Sequence, residues 1–248
     1  MERKTTTYTI TSTRVSRTVT FAVAADLHNG PYEDVLDTFR QVDAVLVPGD
    51  LLNRHRLGWE QASRFLEEVP RICPVFYSLG NHERRYPVLP CWLEMVECSG
   101  VTLLDNTTVQ FGDIALGGLS SVSRRETPDR RVLAELSTMP GFRLLLCHHP
   151  EYYAPHVADF DIDLTVAGHA HGGQVQLFGH GLYAPNQGLL PKLTNGFYFH
   201  DRLLVSRGMT NSAAAPRIAN PCELLILKIQ PAVACSLRGK PATPHTPY

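Results

Sequence analysis

The sequence predicts an α/β protein, and three features of the chain support this fold class. Short apolar runs that suit buried strands alternate with helical patterns through the first part of the chain. The chain has 248 residues, of which 44% are hydrophobic, enough for a sizeable core without disulfide or metal staples. Polar side chains follow most of the apolar runs, where the strand ends of an α/β sheet open a crevice for ligands.

The elements are predicted in chain order from these patterns. Near-continuous apolar runs predict buried strands at 19–25, 44–47, 75–79, 144–147 and 164–167. Helical patterns lie between the early strands, at 31–42, 59–69 and 92–98. Hairpin-like runs at 107–111, 113–116, 174–178, 197–199, 203–205 and 222–229 predict a second, more antiparallel sheet. The segment 179–196 is rich in Gly, Pro and Asn, which indicates a lid or a binding loop.

Composition and charge narrow the classes of function. Without an internal repeat or a linker, the chain is predicted to form one domain over 1–230, followed by a Pro-rich, disordered tail over 231–248. A net charge of −1 provides no basic field for duplex nucleic acid. The chain has no signal-peptide pattern, no membrane-length apolar run and no CxxC pair among its six cysteines. These features predict a cytoplasmic protein without an integral membrane segment, although removal of a leader or anchor would leave the same sequence. The oligomeric state stays open.

Five polar clusters follow predicted strands. They contain, in order, Asp26 with His28, Asp50, Asn81 with His82, His148, and His169 with His171. Residues two apart on extended backbone point the same way, so the first and last clusters can each direct two ligands to one place. Carboxylate, amide and imidazole ligands together suit Mn, Fe or Zn better than Ca, and the set is large enough for two ions.

Taken singly, most of these clusters have ordinary structural explanations. Asp-x-His and Gly-Asp occur in turns of many proteins, and Gly-Asn-His-Glu at 80–83 could equally cap a helix. Gly-His-Ala-His-Gly-Gly at 168–173 is more specific, because two imidazoles between glycines have little structural reason to follow a strand. All five clusters in one order predict a metal centre.

The five clusters together resemble the signature of the calcineurin-like metallophosphoesterases, D-x-H, GD, GNH[DE], H and GHxH, which is complete from Asp26 to His171. The sequence GHAHGGQ at 168–174 is similar to that of the bacterial branch with a GH[TA]HGGQ motif, as are 205–208 and 221–223. The resemblance implies a four-layer α/β/β/α sandwich, with two mixed sheets, flanking helices and two metals at the strand ends.

The resemblance also implies a role for each ligand. One metal would be held by Asp26, His28 and His171, the other by Asn81, His148 and His169, and Asp50 would bridge both. Either His148 or the adjacent His149 could be the metal ligand, and the family spacing His-x-Pro favours His148. His149 is then expected to face the pocket.

The expected chemistry is hydrolysis at phosphorus. Two divalent ions lower the pKa of a bridging water, so that the resulting hydroxide attacks in line. His82, next to the ligand Asn81, would protonate the leaving oxygen or stabilise its charge. Asn53 stands where the related protein Ser/Thr phosphatases carry an Asp that orients their catalytic His, which argues against a protein phosphatase.

Guanidinium groups match phosphate oxygens, so several arginines are candidates for substrate binding. The predicted substrate-binding residues are Arg54, Arg84, Arg207 and His149, and Arg85 or Arg217 could also reach a phosphate.

The sequence therefore predicts a dinuclear metal-dependent phosphoesterase, with a phosphodiester favoured as substrate. The expected substrate is a small-molecule, nucleotide-linked or lipid-linked phosphate ester. A metal-free protein-binding scaffold of the same fold is one alternative, but the ligand positions and His82 are intact. A nuclease of the superfamily is another, and the absence of a Lys/Arg stripe argues against it.

Overall fold

The computed structural model describes residues 3–56, 58–122, 126–178, 180–212 and 216–232. The strands are β1 (Arg3–Ser12), β2 (Val19–Val23), β3 (Ala44–Pro48), β4 (Val75–Ser78), β5 (Thr102–Leu103), β6 (Thr108–Phe111), β7 (Ile114–Leu119), β8 (Phe142–Cys147), β9 (Leu164–Ala167), β10 (Gln176–Leu177), β11 (His180–Gly181), β12 (Tyr183–Ala184), β13 (Gly188–Leu189), β14 (Gly196–Tyr198), β15 (Leu203–Val205) and β16 (Cys222–Pro231). The α-helices are α1 (Leu36–Phe39), α2 (Glu60–Glu68), α3 (Asn81–Arg84), α4 (Leu89–Cys98) and α5 (Arg131–Thr138).

Twelve of the strands form two six-stranded mixed sheets. The first has the order β1-β16-β2-β3-β4-β5, and the second has the order β14-β15-β9-β8-β7-β6. In the second sheet β15, β9, β8 and β7 run parallel, and only the edge pairs with β14 and β6 are antiparallel. The run at 222–229, expected in the second sheet, instead forms β16 of the first. The second sheet has two antiparallel pairs against one in the first, so it is the more antiparallel of the two, although its four central strands are parallel. Its strands β7 and β8 are joined by a crossover that contains α5, and such crossovers connect parallel strands.

Three apolar clusters define four layers. Leu46 of β3 and Leu144 of β8 belong to a cluster that fills the space between the two sheets. Their neighbours Val45 and Leu145 belong instead to clusters on the outer faces, beneath α2 and α4 on one side and α5 on the other. Since successive strand residues point to opposite faces, both sheets are buried on both sides. The predicted α/β/β/α sandwich is confirmed.

Several element boundaries differ from the prediction. Strand β1 was not predicted because its threonine-rich run lacks an apolar stripe, yet it pairs along its whole length with β16. The helix expected at 31–42 is short, a 3₁₀ turn at Glu33–Val35 followed by α1. The expected loop at 179–196 includes β11, β12 and β13. In the predicted tail, Pro231 ends β16, and 233–248 lie outside the described residues.

The predicted metal ligands lie at one shared edge of the two sheets. Each of β2, β3, β4, β8 and β9 is followed within three residues by one of the predicted ligands: Asp26, Asp50, Asn81, His148 and His169. Because the sheets pack face to face, these turns meet at one end of the sandwich. In the ranges that the structure describes, no helix combines the length and the apolar composition that crossing a membrane requires.

Candidate metal centre

The structure brings all seven predicted metal ligands together in a buried position. They are Asp26, His28, Asp50, Asn81, His148, His169 and His171. Two groups of three stand out, in each of which one ligand atom per residue lies within 4.8 Å of the others. One group is Asp26, His28 and His171, and the other is Asp50, His148 and His169. Two further groups of this kind combine His82 with His28 and Asp50, and Glu151 with His149 and His169. Asp26, His28 and His171 are the set that the resemblance implies for one metal, whereas it implies Asn81 rather than Asp50 with His148 and His169. The division of the ligands between two ions stays a prediction.

In the first group, two imidazoles face one another beside a carboxylate. His28 Nε2 lies 3.3 Å from His171 Nε2 and 3.6 Å from Asp26 Oδ1. The other ring nitrogen of His28, Nδ1, lies 3.2 Å from the carbonyl oxygen of Leu52, which makes it the donor nitrogen. Nε2 then carries a lone pair directed into the group, as a metal-binding imidazole requires.

The second group has the same character. His148 Nδ1 donates to the Pro48 carbonyl over 2.9 Å, so Nε2 is the nitrogen that could bind a metal ion in place of a proton; it lies 3.2 Å from His169 Nδ1 and 3.0 Å from Asp50 Oδ2. The Oδ1 atom of Asn81 is buried and has no hydrogen-bond partner among the described residues. An unpartnered buried oxygen is costly, whereas a cation would satisfy it.

Asp50 lies between the two groups. Its Oδ2 atom is 3.0 Å from His148 Nε2 and 3.9 Å from His28 Nε2. A carboxylate in this position can contribute to two ions at once.

Backbone conformation at the site is strained. The φ values of Asp26, His28, Asp50, His169 and His171 lie between 48° and 68°, in the left-handed region. Non-glycine residues held in that region cost of order 1–3 kcal/mol each and persist where the surrounding structure enforces them. Five of the seven predicted ligands are strained, which indicates a functional site at this edge of the sheets.

The buried carboxylates of the site are negatively charged and favour the binding of a cation. Burial alone would neutralise Asp26 and Asp50, but the neighbouring histidines hold the pKa of each carboxyl well below its usual value. Burial opposes a charge on His148 as well, yet Asp50 raises the pKa of His148 to about 10. A proton on His148 therefore partly balances the carboxylates, and a divalent cation would do so more completely. Burial lowers the pKa of His171 to about 4, so His171 is a neutral ligand at neutral pH. The donor set fits divalent metal ions.

Glu83 fixes the loops that carry these ligands, and sequence reasoning assigned it no role. Its Oε2 atom accepts hydrogen bonds from the backbone N–H groups of Asp50 (3.0 Å) and Gly80 (2.8 Å), and Oε1 accepts one from Leu52 (2.8 Å). Glu83 thus joins the loop after β3 to the first turn of α3. A glutamate three residues after the residue that precedes a helix is a known capping pattern, which is the signal that could have identified it.

His82 faces the metal ligands as a neutral donor. Its Nδ1 accepts the backbone N–H of Arg54 over 3.1 Å, so the ring proton resides on Nε2, 3.9 Å from Asp50 Oδ2. Burial and the neighbouring positive groups lower the pKa of His82 to about 3. Asn53, which stands at the position of the orienting Asp in protein Ser/Thr phosphatases, accepts from the backbone N–H of His55 instead.

A cleft of about 910 Å³ opens over the ligands, and it receives only some of the predicted substrate-binding residues. Arg54, His149 and Arg85 line it. Arg84 does not, because its guanidinium pairs with Asp105. Arg207 lies away from the cleft, where its backbone N–H donates to Glu223.

A second polar network adjoins His169, and sequence reasoning missed two of its members. His149 Nδ1 lies 3.2 Å from Glu151 Oε1, and Asn186 Nδ2 donates to the same oxygen over 2.8 Å. Asn186 also lies 3.1 Å from His169 Nε2. The turn between β12 and β13 brings Asn186 to the site, so the predicted binding loop reaches the metal ligands through one amide. No local sequence signal distinguishes this Asn from other turn residues.

The buried set of Asp, Asn and His side chains at the shared edge of a four-layer sandwich is suited to binding metal ions. The chain belongs to the calcineurin-like phosphoesterase family, whose model matches residues 19–173.

Curated relatives are similar in sequence at a moderate level. An uncharacterised metallophosphoesterase of Campylobacter jejuni is 25% identical over 228 residues, which cover 83% of this chain and 57% of that protein. An uncharacterised metallophosphoesterase of Helicobacter pylori is 27% identical and covers 77% and 52% of the two chains. The phosphodiesterase YaeI of Escherichia coli is 28% identical over 145 residues, 54% of this chain and 51% of that one. The chain thus spans about half the length of these relatives.

Proposed function

We propose that the protein is a dinuclear metal-dependent phosphoesterase that hydrolyses a phosphodiester. The observation that carries the proposal is the position of Asp50 between two pairs of buried histidines, His28 with His171 and His148 with His169. The carboxylate of Asp26 lies beside the first pair, and the buried, unpartnered Oδ1 atom of Asn81 provides a further oxygen. Two divalent ions of Mn, Fe or Zn, when bound, would activate a water molecule and offset the charge of the phosphate. The similarity to a relative named as a phosphodiesterase supports a diester as substrate.

His82 is proposed to stabilise charge rather than to transfer a proton. Its Nδ1 is occupied by the Arg54 N–H, so loss of the Nε2 proton would leave an unstable imidazolate. The Nε2–H group instead donates a hydrogen bond to a phosphate or leaving-group oxygen as negative charge develops there. This assigns His82 the second of the two roles that the sequence left open.

His149 is proposed to contact the substrate outside the phosphate. Its Nδ1 faces the Glu151 carboxylate, and its Nε2 is buried, lines the cleft and has no partner among the described residues. A bare imidazole nitrogen accepts hydrogen bonds, so His149 suits a hydroxyl or amide donor of the substrate.

The test compares hydrolysis of bis(p-nitrophenyl) phosphate with that of p-nitrophenyl phosphate by Mn-loaded protein. We expect diester turnover in the wild type and its loss in Asp50→Asn, with metal content per chain lowered in the variant. Asp37→Asn is the matched control, because Asp37 is exposed on α1 and pairs only with Arg40. Failure of the wild type to retain metal, with no turnover of either ester, would favour the metal-free scaffold alternative. Binding to duplex DNA that weakens steeply with added salt would favour the nuclease.

Three further expectations stay predictions. They are the single domain over 1–230, the cytoplasmic location and the absence of binding to duplex nucleic acid. A nucleotide-linked and a lipid-linked ester are both compatible with the proposed reaction.

A further inference from the structure

Two arginines on the wall of the cleft have no carboxylate partner. Arg54 and Arg85 both line the cleft beside His82. Seven of the sixteen arginines in the described part of the chain form ion pairs, and Arg54 and Arg85 are among those that do not. Burial, and then the charge of Arg85, lower the pKa of Arg54, and the opposing charge of Asp50, which also lines the cleft, does not offset them. Two like charges on the wall of one cleft are unfavourable unless an anion binds to them.

Arg54 also carries an unsatisfied donor. Its Nη1 atom is buried and has no hydrogen-bond partner among the described residues, while Nε lies 3.2 Å from His55 Nε2. An unmade hydrogen bond of a charged group is costly, and an anionic ligand would satisfy it.

The guanidinium of Arg54 lies further from the metal ligands than His82 does. The Nε2 end of the His82 ring faces Asp50, and its Nδ1 end is bonded to the backbone of Arg54. The guanidinium packs against His55, whose ring stands edge-on to His82 with centroids 5.4 Å apart. A phosphate held at the metal ligands would contact His82, and the arginines would meet the group attached next to that phosphate.

The carboxylates of the cleft do not neutralise this pair. Glu151 is engaged by His149 and Asn186. Glu126 lines the cleft as well and has an interaction of its own.

We propose that Arg54 and Arg85 form a second anion subsite, which binds a further phosphate group of the substrate next to the scissile one. The inference rests on the proposed phosphoesterase function and narrows its substrate class to organic diphosphates or bisphosphates. Two forked guanidiniums provide enough donors for the several oxygens of such a group. Tyr152, another cleft residue, stacks at a tilt on His149 with centroids 4.7 Å apart and offers an apolar wall for the organic part.

The test measures the binding of two non-hydrolysed probes to Mn-loaded protein by titration calorimetry. Inorganic phosphate occupies one anion position, and methylenediphosphonate occupies two. We expect the wild type to bind methylenediphosphonate at least about 10-fold more tightly than phosphate, as a charge-assisted hydrogen bond would give. In Arg85→Gln and in Arg54→Gln this preference falls by about 10-fold, with a smaller change in phosphate affinity.

Arg56→Gln is the matched control. Arg56 is exposed on the same loop as Arg54 and does not line the cleft, so its removal changes the net charge alone. Arg85 is also exposed, and its substitution keeps the test valid if Arg54→Gln does not fold. A preference for methylenediphosphonate that is equal in the wild type, Arg85→Gln and Arg56→Gln would refute the subsite, because the metals alone would then explain it. Calorimetry needs no turnover, so failure of the subsite is distinguishable from failure of the proposed function, which the hydrolysis of bis(p-nitrophenyl) phosphate tests.

Discussion

Replacement of Glu83 tests whether one buried carboxylate holds the two ligand-bearing loops together. In Glu83→Ala the backbone N–H groups of Asp50, Gly80 and Leu52 lose their acceptor. An unsatisfied buried donor costs about 1–3 kcal/mol, so we expect the free energy of unfolding to fall by at least about 3 kcal/mol. That is a large part of the total stability of an ordinary domain, which is about 5–15 kcal/mol.

Glu83→Gln separates hydrogen bonding from charge. Burial, together with the Asp50 charge, raises the pKa of Glu83 to about 7. The folded state therefore binds a proton more tightly than the unfolded state, and stability falls as the pH rises from the ordinary value of 4.5 to about 7. The full loss is about 3 kcal/mol. Glutamine does not titrate, so the variant is expected to lack this slope.

The assay is urea unfolding of metal-stripped protein at about pH 5 and about pH 8, followed by the fluorescence of Trp59 and Trp92. Glu67→Gln is the control, because Glu67 is exposed on α2 and its replacement should change neither stability nor slope. A Glu83→Ala protein within about 1 kcal/mol of the wild type would refute the bridging role. A Glu83→Gln protein with the wild-type pH slope would refute the assigned titration.

Three further predictions concern the site. His82→Ala should lower kcat/KM by a similar factor across about pH 5–9, because a neutral donor does not titrate there; a loss that follows a titration within this range would show proton transfer instead. Gly80→Ala should weaken metal binding, since its Cβ would lie 2.1 Å from Asp50 Oδ1; unchanged metal affinity by calorimetry would contradict this placement. Glu151→Gln should raise KM more than it lowers kcat for a diester with a hydroxyl or amide donor, because it loosens His149 in the cleft. Steady-state kinetics with thymidine 5′-(p-nitrophenyl phosphate), which carries such donors, measures the split, and a larger effect on kcat would contradict the role of His149; bis(p-nitrophenyl) phosphate, which carries none, is the control.

The metal ligands could be predicted from the sequence because each follows a buried strand and is part of a short pattern. Strands β9 and β15 begin and end where the apolar runs predicted. The directions of the second sheet could not be predicted in this way, since they depend on the path of each crossover rather than on the strand sequence. Strand β1 escaped prediction because its pairing with β16 joins opposite ends of the chain.

The substrate-facing residues were less predictable than the ligands. Arg84 and Arg54 look equivalent in sequence, yet Arg84 is neutralised by Asp105, while Arg54 faces the cleft without a carboxylate. Asn186 reaches His169 only because a small hairpin folds over the site.

The sequence by itself determined the fold class, the order of the buried strands and the types of ligand at their ends, because apolar periodicity and turn chemistry act over a few residues. The tertiary structure decided which predicted ligands lie together, which nitrogen of each histidine faces them, and which of the cleft arginines form no ion pair. Asp26 and His171 meet across most of the family-matched region, and His148 presents Nε2 because the Pro48 carbonyl occupies its Nδ1. Such contacts join residues far apart in the chain, and only the packing of the two sheets against one another sets them.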